Sequence, residues 1–169
     1  MAAEPSDPSR AEKSWSMREV IQGKPMKRPT HPFFVVFPIA LFSGALVLDV
    51  LSFAGLEGAA LAATYAAIGG LIGAAFAIVT GLADRSSMRP GSRIRAAASQ
   101  HMVIQLTATA IFVVNVLVRW GDRTTDKAKL LWLILDVVGV GVVIIGGDAG
   151  AKMVFRMGYR VAGTEDKQA

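Results

Sequence analysis

From Phe33 to Phe53 the chain is apolar except at Ser43, Asp49 and Ser52. At about 1.5 Å per residue, a helix over this stretch spans roughly 30 Å, the thickness of a bilayer's hydrocarbon core. A buried helix of a soluble protein is usually shorter and carries a polar stripe, so the pattern predicts a transmembrane helix over about 32–53. Three more apolar runs follow and predict spans over about 59–82, 100–120 and 130–147. The link 54–58 is so short that the second span must return antiparallel beside the first. The expected fold is all-α: an integral membrane, antiparallel four-helix bundle, preceded by a polar tail (1–30) and followed by a basic tail (149–169).

Local signals punctuate this plan. Residues 1–13 are small, charged and Pro-containing, and read as disordered. Ser16 and Glu19 have the S-x-x-E spacing of a capping box, which predicts one short surface helix. Residues 24–32 form a basic, Pro-punctuated lead-in that is not a continuous helix. Pro32 suits a first helical turn, where its missing N–H has no intrahelical partner. Pro38 falls inside the first span and predicts a kink. Gly69 and Gly73, four apart in the Ala-rich second span, predict a close-packing face.

Charge sets the expected orientation. Six Lys or Arg precede the first span, four (Arg85, Arg89, Arg93, Arg95) lie in the middle loop, and four lie in the C-terminal tail. Only Arg119, Arg123, Lys127 and Lys129 fall on the other side. Fourteen against four places both termini in the cytoplasm of a bacterial inner membrane, with Trp120 and Trp132 flanking the outer interface. The net charge of +5 sits beside apolar spans, which fits anionic headgroups of the lipid bilayer better than nucleic acid. With no cysteine, disulfides, thiolate metal sites and Cys nucleophiles are excluded. The polar segment before His31 holds no apolar signal-peptide core. No phosphate loop, nucleophile elbow or triad signal appears, so an enzyme is not the expectation.

Polar residues inside the spans are the candidates for function, because a charge at the bilayer centre costs about 2.5–3.5 kcal/mol on insertion scales. They sort into two groups by depth. His31, Asp84, His101 and Asp148 fall near the end that carries the termini, and Asp49, Asn115 and Asp136 toward the other. His31 and Asp49 are separated by five whole helical turns, and so share a face. His101, Gln105, Ala108, Phe112 and Asn115 form one stripe of the third span. The chain's two histidines thus lie at one depth. Three readings compete for them: axial ligands of one haem b, a metal or proton site with Asp84 and Asp148, or interfacial residues without chemistry. For Asp49, Asn115 and Asp136 the choice is between an interhelical hydrogen-bond network and a proton relay.

The run from His31 and Pro32 through Phe37-Pro38-Ile39, with Asp49 following, resembles a bacterial family of four-helix membrane proteins defined only as a domain of unknown function. Its first helix reads H-P-x-x-V-H-F-P-I-x-L. The likeness continues at 80–84 (Thr-Gly-Leu-Ala-Asp), at His101, at Gly146-Gly147 and into 154–158, covering roughly 25–161. Members are sometimes fused to Rieske iron–sulfur domains, so the resemblance implies an association with membrane electron transfer and a Rieske-type or other redox partner. Two positions depart from the pattern: Val36 and Met157 stand where the family carries histidine, which leaves at most one bis-His haem. The expectation is a redox-associated module holding one haem b between His31 and His101, with Asp84 and Asp148 orienting the imidazoles or the propionates. The alternatives are a non-catalytic scaffold subunit and a small proton or ion pathway through Asp49 and Asp136.

Overall fold

A computed structural model describes residues 14–122, 125 and 127–161. The tail read as disordered (1–13), Arg123 and the last residues (162–169) lie outside the described residues. The capping box is present: Ser16 accepts from the Glu19 N–H, and the Glu19 carboxylate accepts from the Ser16 N–H, starting α1 (Met17–Ile21). Four long helices follow: α2 (His31–Phe53), α3 (Ala59–Ser86), α4 (Arg93–Arg119) and α5 (Leu130–Phe155). All four are long and apolar enough to cross a membrane.

Three of them outrun the apolar stretches that announced them. The second span continues to Ser86, the third begins at Arg93 rather than near Gln100, and the fourth runs on to Phe155. Apolarity ends where the hydrocarbon ends, but helical hydrogen bonding continues through headgroups and water until a cap stops it. Ser92 supplies that cap for α4, its hydroxyl accepting from the Arg95 N–H.

The helices form two hairpins. In the first, α2 lies against α3 across a turn in which Gly55 and Gly58 take positive φ, at 96° and 73°. The contact is as close as the small-residue pattern predicts. A Cβ on Gly73 would fall 2.6 Å from Phe37 Cβ and 3.1 Å from Pro38 Cδ, and one on Gly70 would strike the Phe42 ring. In the second hairpin α4 lies against α5, and a Cβ on Gly139 would fall 2.6 Å from the Phe112 ring. The hairpins meet through α2 on α5 and α3 on α4. Where they meet, Phe42 and Phe112 stack with ring centres 3.7 Å apart, at the heart of a core with Ala45, Ala63, Ala67, Ala74 and Ala108. Alanines surround the rings because helix backbones in lipid gain most by approaching closely.

The outer faces of all four helices are apolar and exposed, as Phe33, Ile72, Leu117 and Ile144 illustrate. Such a surface suits the hydrocarbon of a bilayer. Trp132 departs from its expected place. It is buried under the Arg119 guanidinium, 4.9 Å from the ring centre, while Trp120 stays exposed.

Candidate functional site

Polar side chains gather at both ends of the line where the hairpins meet. At the end that carries the termini, the first residue of α2 is His31, and His101 faces it from α4 with ring centres 6.4 Å apart and planes at 88°. Each imidazole is fixed in the same way. His31 Nδ1 lies 3.0 Å from the Ala77 carbonyl and 3.2 Å from Thr80 Oγ1, and His101 Nδ1 lies 2.8 Å from the Gly146 carbonyl. A carbonyl only accepts, so each Nδ1 carries a hydrogen and donates it there. Each ring also rests on a glycine: a Cβ on Gly81 would meet His31 Cε1 at 3.0 Å, and one on Gly150 would meet His101 Cε1 at 3.1 Å.

Both imidazoles line a cavity of about 120 Å³. Its walls are largely apolar, from Val35, Phe42, Ala74, Val143 and Met153, with Gln105 and Thr109 the polar residues toward the middle of the bundle. At its mouth stand Asp84, Arg85 and Tyr159. Arg160, held at φ 55°, donates to Asp84 at 2.7 Å and to the Gln22 carbonyl at 3.1 Å. It thereby ties the segment after α5 and the segment after α1 to the end of α3. Burial pushes the Tyr159 phenol up from its ordinary value, so it stays a neutral hydroxyl at this mouth.

Two expected site residues are placed differently. Asp148 is exposed and pairs with Lys152 at 2.5 Å, so it orients neither imidazole. The His101 ring rests on Gly150 and bonds to the Gly146 carbonyl, and a residue two positions from either projects to the opposite side of α5. Asp84 reaches the cavity mouth but is committed to Arg160, and neither histidine Nδ1 bonds to it. Met157 packs with Met88, Ile94, Ala98 and Met153 in a small apolar cluster.

At the opposite end, Asp49, Asn115 and Asp136 do converge, around a cation counted above among the charges of the outer side. Arg119, on the last turn of α4, is 0% exposed, as are Asp49 and Asp136. Its guanidinium donates to both oxygens of Asp49, at 3.0 and 2.5 Å, and to Asp136 at 2.8 Å. Its Nε donates to the Asn115 side-chain oxygen, and Asn115 Nδ2 donates to Asp136 at 2.7 Å and to the Trp132 carbonyl at 3.2 Å. Two inward carboxylates near the ends of their helices were the available signal for a buried cation, and Arg119 follows Asn115 by one helical turn on the same stripe.

A metal-bound imidazole nitrogen sits about 2 Å from the ion and its ring centre about 1.1 Å further back, so two imidazoles trans on one ion have centres about 6 Å apart. The 6.4 Å spacing of the ring centres is near that separation, and both Nδ1 atoms are already bonded to the chain. Arg85 at the mouth suits a propionate. Among the described residues no three His, Asp, Glu or Cys side chains cluster as a metal-ion cage. No curated protein and no solved structure matches the chain. Four apolar spans opened by His31-Pro32, with His101 opposite, agree with a family model that matches residues 27–163, and the chain belongs to that family, described as "predicted membrane protein (DUF2231)".

Proposed function

We infer that this membrane protein is a redox module for one haem b, whose iron His31 and His101 would hold. The observation that carries the reading is the pair of neighbouring imidazoles, with ring centres 6.4 Å apart and each Nδ1 on a backbone carbonyl. Such a hydrogen bond fixes tautomer and ring orientation and raises the basicity of Nε2, as outer partners of metal-bound histidines generally do. Bound there, haem supplies one-electron exchange between ferric and ferrous iron. The chain's residues do the rest. Ala77 and Gly146 hold the rings, the apolar walls exclude water, and Arg85 offers charge to a carboxylate at the cavity mouth.

The orientation that follows from the Lys and Arg count, with both termini in the cytoplasm of a bacterial inner membrane, puts this site at the cytoplasmic face. Its electron partner would then be a membrane redox protein, of Rieske type where the family's fusions are a guide. A proton pathway through Asp49 and Asp136 is less well supported. The stacked phenylalanines and surrounding alanines separate that pair from the histidines, and Arg119 occupies both carboxylates.

Absorption spectra of the detergent-purified protein test the reading, oxidised and dithionite-reduced, beside a His31→Ala, His101→Ala double variant. A Soret band with sharp reduced α-bands, lost in the variant, is expected. A colourless, folded protein from haem-sufficient cells would overturn the haem assignment and leave the scaffold reading in its place.

A further inference from the structure

The two hairpins carry corresponding residues at matched positions, alike except for one pair of opposite charge. His31, Phe42 and Asp49 of α2 correspond, at one constant offset along the chain, to His101, Phe112 and Arg119 of α4. Gly70, Ala77 and Gly81 of α3 correspond, at an offset shorter by one, to Gly139, Gly146 and Gly150 of α5. The contacts repeat with the residues. Phe42 lies on Gly70 as Phe112 lies on Gly139, and His31 lies on Gly81 as His101 lies on Gly150. The Nδ1 bond runs in each case to the carbonyl one helical turn before the seating glycine.

Matched residues meet their counterparts along the interface: imidazole with imidazole, phenyl stacked on phenyl, Asp49 with Arg119. Both α2 and α4 lead away from the end that carries the histidines, so the repeat is a parallel one, its two-fold axis running along the bundle.

The first two meetings do not distinguish one hairpin from the other; the third does. Two copies of the first hairpin would still pair His with His and Phe with Phe, but would bury two Asp49 carboxylates with no cation. Two copies of the second would face two guanidiniums, each lacking its two-pronged carboxylate. Only the mixed pairing satisfies both. Arg119 is already braced within its own hairpin by Asn115 and Asp136, so its fork is presented ready-made to Asp49. We propose that the chain is a tandem repeat of one helical hairpin, and that the Asp49–Arg119 contact makes each hairpin's inner face bind the other hairpin rather than its own copy. Buried charge acts here as pairing specificity, as it does where unpaired charges exclude wrong partners.

The absence of cysteine makes a direct test available. Phe42→Cys puts one thiol on the axis, and in correct pairing it faces Phe112. A short bifunctional thiol crosslinker should then give no dimer. In a charge-free background (Asp49→Asn, Arg119→Gln, Asp136→Asn), first hairpins of two copies can pair, position 42 meets position 42, and crosslinked dimer should rise at least several-fold. A helical, monodisperse charge-free protein with no more dimer than the unaltered background overturns the proposal, as does equal dimer in both. Should the charge-free chain fail to fold, full chains carrying Asp49→Arg and Arg119→Asp, differently tagged and produced together, decide the matter. Rescue as a co-purifying mixed dimer, with neither chain folding alone, supports the proposal, and failure to co-purify overturns it.

Discussion

Arg119 shows how much one side chain can cost a membrane protein and what its place must supply in return. A lone charge in this setting is expelled, but here the guanidinium meets two carboxylates, one amide and the Trp132 face. Removing it strands Asp49 and Asp136 in a fully buried site. Arg119→Leu should therefore destabilise by about 3–5 kcal/mol, the usual cost of breaking a buried pair from one side. Arg119→Lys should recover part of the loss, because an ammonium is a point charge that cannot fork to both Asp49 oxygens. Thermal unfolding in detergent checks the order: wild type, then Lys, then Leu. A Lys variant as stable as wild type would show that the two-pronged geometry is unimportant.

The glycine seats make a second prediction at this scale. A Cβ at position 81 or 150 must displace an imidazole by a few tenths of an ångström. On the proposed haem reading, Gly81→Ala and Gly150→Ala should each lower haem content per protein, whereas Gly44→Ala, with nothing within 4 Å of its Cβ, should leave it unchanged. Soret absorbance divided by protein concentration reads the effect.

Among the elements, α1 is the shortest α-helix and depends most on its cap. Hydrogen bonding from the Ser16 backbone, with Lys24 alongside, holds the Glu19 carboxyl at about 2, against an ordinary 4.5. A carboxyl lowered on folding stabilises the folded form above its unfolded value, and that contribution disappears as pH falls through the folded one. The α1 cap should thus weaken between about pH 4.5 and 2, and Glu19→Gln should remove that pH dependence. Exchange of the Glu19 and Val20 amide hydrogens follows it. A cap equally protected at both ends of the window would rule out the carboxylate's role. The long helices behave differently: their ends are decided by caps and water, and their packing by which small residues let a neighbour in. Pro38 is accommodated within an unbroken α2, next to Gly73.

For the whole molecule, the arrangement of positive charge is the basis of the proposed orientation. The described segments at the terminus-bearing end hold Lys24, Arg89, Arg156 and others, and the opposite turn holds Lys127 and Lys129. Burial of Arg119 removes one cation from that turn, which widens the asymmetry. An impermeant thiol reagent on intact spheroplasts should label a Lys127→Cys variant. It should reach a Lys24→Cys variant only after permeabilisation. The reverse pattern would invert the topology and move the histidine cavity to the outer face.

The pattern of residues along the chain determined the spans, their antiparallel order, the inward stripes and the depth of both histidines. Each of these is a one-dimensional property, set by length, period and apolarity. Placing Arg119, Trp132 and Asp148 required the rotation of each helix against its neighbours. Arg119 sits at the edge of an apolar run, where it reads as one more charge at the interface. Its partners are remote in the chain, Asp49 on the first span and Asp136 on the last. Asp148 lies at the same depth as the histidines, but faces outward by the angle of two helical positions. The repeat is equally quiet in sequence, because few residues are identical between the hairpins. It becomes visible only when equivalent side chains meet across the bundle. Depth is written locally, whereas partnership between side chains belongs to the packing of all four helices.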